Sequence, residues 1–392
     1  MKRKHFIFAL AAMLSFAFSA FAQETVVVNS FEELKAEFEK TVEARANAMR
    51  TGVTTQGNLD EFYGNITLGS DIVMTDVLNI HGDRELTLDL NGHTISGDAA
   101  KYIKNLGSFT IYDNSSAKTG GISCAIYNGD ADNTGAFLDI KGGTFKNQDN
   151  GANSAVITNY AWAEIYTGRF FSENIALINH NKMTIDGSNS ANVYIEGKNH
   201  YITNDGELAV ANATIAGTKE AYGAGADEVF ANSVIFHNVA VNGQSFNSLS
   251  EAVAVANAGD LIRLFGNITE SDVVTIDEAV TVDGNGKKFT TSAANAIKVD
   301  APAGTVVITD ITINGATEYA LEAATAVNVR ESNLTGGGAV KAKDCQVYIM
   351  NSDLVGTAAM DVVSVARDVT FNLESGSITA QAQAGDEKFF VI

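Results

Sequence analysis

A single proline, Pro302, interrupts 392 residues. Proline removes a backbone donor, so its scarcity suits strands whose N–H groups are all claimed by neighbouring strands. Cysteine is almost as rare. Cys124 and Cys345 stand far apart in runs of strand character (Ile122-Ser-Cys-Ala-Ile126 and Cys345-Gln-Val-Tyr-Ile349). That pattern points to two buried free thiols rather than a disulfide framework, and no spacing makes a zinc or redox motif. Basic residues number 26 against 47 acidic ones, leaving a net charge of −21. So acidic a surface argues against nucleic acid and anionic membranes as partners, and it suits solubility, divalent cations or cationic ligands. Beyond the N-terminus no run is long and apolar enough to span a bilayer.

What is present begins with an address. Lys2, Arg3 and Lys4 precede an apolar run over 6–21, and Ala20-Phe-Ala22 before Gln23 has the small-x-small form of a signal-peptidase site. Residues 1–22 are therefore expected to be a signal peptide, and the protein secreted. An N-terminal membrane anchor is the alternative, against which the shortness of the run counts. Removal of the segment would take the charge to about −24.

The chain then reads as if written twice. Leu86-Thr-Leu-Asp-Leu-Asn-Gly-His-Thr-Ile-Ser-Gly97 returns in degenerate form as Val280-Thr-Val-Asp-Gly-Asn-Gly-Lys-Lys-Phe-Thr290. Apolar residues alternate with polar ones around a retained Asp and Asn-Gly, which predicts strand, turn and strand in each copy. The same grammar precedes both. Val26-Val-Val28 is followed by a capping box, Ser30-Phe-Glu-Glu33, and by Phe31, Leu34, Phe38, Val42 and Met49 on one helical face, with Gly52 as the stop. Val239-Ala-Val241 is followed by Ser248-Leu-Ser-Glu251, an Ala/Val-rich helix and Gly259. Two domains are expected, 23–235 and 236–392, each opened by an amphipathic helix.

Shorter repeats follow each signature. In the first half these are Ile103-Lys-Asn105, Ile126-Tyr-Asn128, Ile157-Thr-Asn159, Ile178-Asn179 and Ile202-Thr-Asn204, each preceding an alternating strand. Units of 20 to 31 residues with strands and turns but no helix are the mark of a β-solenoid. An Asn at a fixed turn can hydrogen-bond its own image one coil away, so Asn105, Asn128, Asn159, Asn179 and Asn204 are expected to form a ladder; generic turn preference is the other reading. The second half repeats less cleanly, with Gly315, Gly336, Gly356 and Gly376 expected at its turns. The fold class is all-β, a β-solenoid.

Ile126-Tyr-Asn128 and Leu138-Asp-Ile-Lys-Gly-Gly-Thr-Phe145 resemble the coils of right-handed parallel β-helix proteins of the pectate-lyase-like group, in particular secreted bacterial surface proteins. The resemblance implies an N-terminal helix covering the open end of the coil. It specifies function poorly, because lyases, hydrolases, adhesins and passive scaffolds share the coil.

Aligning the repeats on their asparagines places Phe137/Asp139/Lys141, Trp162/Glu164/Tyr166 and Lys182/Thr184/Asp186 outward on one sheet face, with Tyr160 and Arg169 flanking the strand of the only tryptophan. Rings beside carboxylates and amines suit a sugar, so Phe137, Asp139, Lys141, Tyr160, Trp162, Glu164, Tyr166, Lys182 and Asp186 are the candidate ligand-binding residues. Aromatics stacking coil on coil along an exposed sheet is the bland alternative. No clear catalytic motif is visible: there is no Asp-Asp pair and no Ca²⁺-ligand cluster beside a basic residue. The Asp/Asn/Gly/Ser-rich loops at 113–120, 130–135 and 147–154 offer oxygens for Ca²⁺ but lack the regular D-x-D-x-D-G spacing, so no cofactor is expected.

The leading expectation is a non-enzymatic secreted or cell-surface scaffold, adhesin-like, displaying a face to a glycan or a surface protein. A polysaccharide lyase or glycoside hydrolase on the same fold is the runner-up. A self-assembling subunit is the third, since Phe389-Phe-Val-Ile392 carries no evident C-terminal helix and would leave an open edge.

Overall fold

The protein is known from a computed structural model, which describes residues 25–40, 63–151, 154–187, 193–223, 225–358, 360–366 and 369–381. The signal-peptide segment, Val42, Met49 and Gly52 of the first helical pattern, and the 389–392 edge lie outside the described residues.

The chain winds into a parallel β-solenoid of about 13 turns, of right-handed type. Strands of successive coils pair in register, so period-2 alternation becomes continuous columns inside the coil. Ile103, Ile126, Ile157, Leu177 and Ile202 form one such column in the first half. Val282, Ile308, Val329 and Ile349 form another in the second. Each inward residue meets its neighbours at the strand spacing, as where the Phe145 and Phe170 rings stack at 5.1 Å and 9°. Two large apolar clusters result, one drawn from residues 28–230 and one from 239–363. The hydrogen-bonded sheets divide at the same place. Ile235–His237 closes the first sheet, and Val239–Val241 opens the second by pairing antiparallel with both Gln244–Phe246 and Leu261–Leu264.

The helix Phe31–Phe38 begins where the capping box places it: the Glu33 amide donates to Ser30 Oγ at 3.2 Å, and the Asn29 amide donates to Glu33 Oε2 at 2.7 Å. The second copy repeats this at Ser248 and Glu251, 3.2 Å in both bonds, ahead of the helix Leu249–Val253. The first helix lays Phe31, Leu34 and Phe38 onto the core, with Phe38 edge-on to Phe109 at 5.5 Å. Its last turn closes with the Glu39 amide donating to Lys35 O.

The two signature copies keep one local device. The Asn91 amide donates to Asp89 Oδ1, and the Asn285 amide to Asp283 Oδ1, both at 2.9 Å. This Asx turn lets Asn91-Gly92 and Asn285-Gly286 adopt positive φ. The second-half glycines do not form one repeated turn, although Gly315 and Gly376 have positive φ, +90° and +118°. Gly315, Gly336 and Gly356 lie within strands, with Ala316, Gly336, Gly356 and Ala380 in one column, whereas Gly376 pairs with Ser352. A repeated left-handed position falls instead at Asp310, Glu331 and Asn351, all with φ near +50°. Three different residue types at one structural position hid that column.

Candidate functional site

The sheet face carrying Trp162 is positioned by the asparagines behind it. Each Asn side-chain amide donates to the next coil's Asn Oδ1, from Asn105 through Asn128, Asn159 and Asn179 to Asn204, at 2.7–2.8 Å. The same nitrogens also donate to the carbonyls of Phe137, Trp162, Lys182 and Glu207 at 2.9–3.0 Å. Those four residues head the outward strip, so a buried amide column sets the register of an exposed row. Ser108, Phe137, Trp162, Lys182 and Glu207 accordingly stand side by side on successive coils.

At the centre of the row Trp162 is 45% exposed. The Phe137 ring meets it edge-on at 5.3 Å, and Lys182 Nζ sits 4.9 Å from its centroid. The next column holds Thr110, Asp139, Glu164 and Thr184 in register. Asp139 is only 7% exposed, deeper than an outward position implies, with Oδ2 2.5 Å from Lys141 Nζ. The Tyr166 hydroxyl donates to Glu164 Oε2 at 2.6 Å; burial and that carboxylate push the phenol's pKa well up. Asp186 Oδ1 accepts from Asn212 Nδ2 at 2.7 Å. The third expected column breaks at a bulge: Lys141 pairs with Thr167 rather than Tyr166, because the register shifts after Ile140. Tyr160 lies off this face, stacked on His180 at 4.6 Å, and His180 Nδ1 contacts Asp205 at 2.8 Å.

A second site, absent from the sequence reading, lies on the neighbouring face of the coil, where the second half packs against the first. Ala240 and Phe265 meet Tyr194, Ala216 and Phe171. The hairpin tip Asn242-Gly243 reaches Arg169, whose Nη2 donates to Gly243 O. Gly243 has φ +69° and abuts Arg169 and Phe171 so closely that a Cβ would overlap both. Behind it, Arg263 is 7% exposed; its Nε donates to Asp283 at 3.0 Å and its Nη2 to Glu173 at 3.1 Å. Burial opposes the guanidinium charge, but the two carboxylates prevail and raise its pKa. Asn285 Nδ2 donates to Lys198 O at 2.7 Å. Tyr194 donates to Glu196 Oε2 at 2.7 Å, and burial raises the Glu196 pKa.

Beside this junction opens a cleft of about 790 Å³. Its floor is the column Thr94, Gly121, Thr144 and Arg169, and its far wall is Asn242, Gly243, Leu261 and Arg263. In the sequence pattern only Arg169 among these flanks a candidate position, beside Trp162, while Thr94 and Thr144 fall within strand motifs. The contacts that assemble the cleft join residues 74 to 90 positions apart with no repeat behind them, so periodicity carried no signal for it.

The polar loops are occupied with their own backbones. Asp113 accepts from the Gly92, Ser115 and Gly120 amides, which, against the cost of burial, hold its pKa below the usual range. Among the described residues no group of three or more His, Cys, Asp or Glu is placed to hold a metal ion. Cys124 and Cys345 are free and buried; burial pushes the Cys124 thiol up to about 12. No family model, curated protein or solved structure matches this chain.

Proposed function

We propose that the chain is a non-enzymatic, secreted or cell-surface scaffold that presents the Trp162 strip to a glycan, without a cofactor. In this reading two tandem right-handed β-helix units, each headed by an amphipathic helix over its N-terminal end, form a rigid support. The separate apolar clusters and the repeated Ser–Glu caps support the two-unit arrangement. Secretion rests on the pattern of residues 1–22.

The observation that carries the binding function is the half-exposed Trp162 indole between Phe137 and Lys182, held in place by the buried Asn128 amide. An aromatic face stacks on the C–H face of a sugar, while neighbouring ammonium and hydroxyl groups take its oxygens. The flanking carboxylates favour binding over catalysis. Asp139 is engaged by Lys141, Glu164 by Tyr166 and Asp186 by Asn212. General acid–base chemistry needs a carboxyl group within reach of a substrate proton.

A glycan array probed with the full chain and with Trp162→Ala tests the reading. The wild type is expected to retain a defined set of glycans, and the variant to lose about tenfold in affinity for them. A blank array, or a variant that binds as the wild type does, would overturn it.

A further inference from the structure

The junction cleft carries charge opposite in sign to the rest of the chain. Lys118, Lys146, Arg169 and Arg263 line it against Glu173 and Glu196, in a protein of net charge −21. The cations are not equally available. Arg263 spends its fork on Glu173 and its Nε on Asp283. Arg169 gives Nη2 to the Gly243 carbonyl and lies over the Phe171 and Tyr194 rings at 5.5 and 5.4 Å. Lys118 donates to the Asp113 carbonyl oxygen at 2.5 Å, and Lys146 Nζ stands 5.9 Å from the Phe171 centroid. Among the described residues neither lysine forms an ion pair with a carboxylate.

We propose that this cleft binds a short saccharide carrying a phosphate or sulfate group. The chemistry left unpaired decides the class of anion. Arg263 spends its fork on Glu173 and Arg169 gives Nη2 to the Gly243 carbonyl, so the two lysine ammonium groups are the charges left without a partner carboxylate. Two ammonium point charges accept a tetrahedral oxyanion from any direction, and the Thr94, Ser123 and Thr144 side chains of the lining supply partners for sugar hydroxyls. The floor from Thr94 to Arg169 spans three strand spacings, about 14 Å. With a volume of about 790 Å³, the cleft suits a ligand of a few rings. Long polyanions are repelled by the remaining acidic surface, whereas a short ligand falls mostly within the local positive field. The proposal is independent of the Trp162 strip, which lies on the adjacent face.

Isothermal titration of the full chain with maltotetraose, its singly phosphorylated and singly sulfated forms, and a glucuronate-terminated analogue tests it. The phosphorylated or sulfated form is expected to bind at least about tenfold more tightly than the neutral and uronate sugars, with affinity falling as salt rises. Whichever of the two binds more tightly identifies the source of the oxyanion. Lys118→Gln with Lys146→Gln is expected to cut that affinity about tenfold at unchanged melting temperature, and Trp162→Ala to leave it intact. Equal binding of neutral and anionic sugars, preference for the uronate, wild-type affinity in the double lysine variant, or no binding by any probe would each overturn the proposal. Loss on Trp162→Ala alone would place the site on the strip instead.

Discussion

In the first half each coil is tied to the next by an amide that both donates and accepts, so the bond from Asn105 to Asn204 repeats without a break. In the second half the corresponding ties are backbone amides donating to serine hydroxyls, Ile311 to Ser332 and Ser332 to Ser352, at 3.3 and 3.1 Å. The difference is chemical. A carboxamide has a donor and an acceptor at opposite corners and can pass a chain of bonds along a column. A serine hydroxyl returns its proton to a nearby carbonyl, as Ser332 does to Arg330 and Ser352 to Met350, and ends the relay there. The two signature turns diverge in the same way. Asn91 donates to Leu68 O of the preceding coil, whereas Asn285 donates to Lys198 O of the other half. One motif stacks a coil upon its neighbour, and its copy docks one half against the other.

The largest effect is expected beside that docking contact, at the buried Arg263–Asp283 pair of the second half. Arg263→Met leaves Asp283 with less than one-tenth of its side chain exposed and with Lys198 Nζ as its nearest cation at 3.7 Å. Breaking a buried pair from one side costs about 3 kcal/mol or more, while removing both charges costs far less. Urea unfolding should therefore show a large loss for Arg263→Met that Arg263→Met with Asp283→Asn mostly restores. A small loss in the single variant would mean that Lys198 of the first half is enough to compensate Asp283.

Next in size is the contrast between the two stacking devices. Asn128→Ala leaves one of the two buried Asn105 amide hydrogens without its acceptor, the other still reaching Phe137 O, and removes the hold on the Trp162 carbonyl, which should cost about 3 kcal/mol. Ser332→Ala removes one acceptor from a bond of 3.3 Å and should cost about 1 kcal/mol. Equal losses in urea unfolding would break the comparison.

These differences also mark what the sequence could disclose. Alternation and the Ile-x-Asn recurrence are local and repeated, so the parallel solenoid and the residues of the Trp162 row were legible from the string alone. The bulge after Ile140 was not, because an extra residue within a strand leaves the alternation on either side intact. Nor were the second-half turns, where Asp310, Glu331 and Asn351 share a backbone conformation but no side-chain type. The cleft was hidden for a further reason. Its walls come from Arg169 and Arg263, one on each half of the chain, and a contact between distant parts of the chain imposes no period on either.

The smallest expected effect probes the junction through pH. Glu196 accepts from Tyr194 beside the apolar contact of Tyr194 and Phe265, and burial raises its pKa above the ordinary 4.5. Its charged form is therefore disfavoured in the folded state relative to the unfolded one. Below 4.5 the group is neutral in both states and contributes nothing; as pH rises through the raised value the folded state bears a growing cost. Arg263 and Arg169 offset part of that cost, Glu173 adds to it, and the Tyr194 hydroxyl supports the carboxylate. Glu196→Gln keeps an oxygen for Tyr194 and removes the charge. At pH 7 it should raise the melting temperature by about 2 °C, and the gain should shrink to nothing as pH falls toward 4.5. A gain that persists at low pH would trace to packing, and a loss at pH 7 would show that the two arginines outweigh burial. In either case the carboxylate would not be the junction's titrating element. The first-half ladder, built of amides alone, has no counterpart to this dependence, so Asn128→Ala should cost the same at both ends of that pH range.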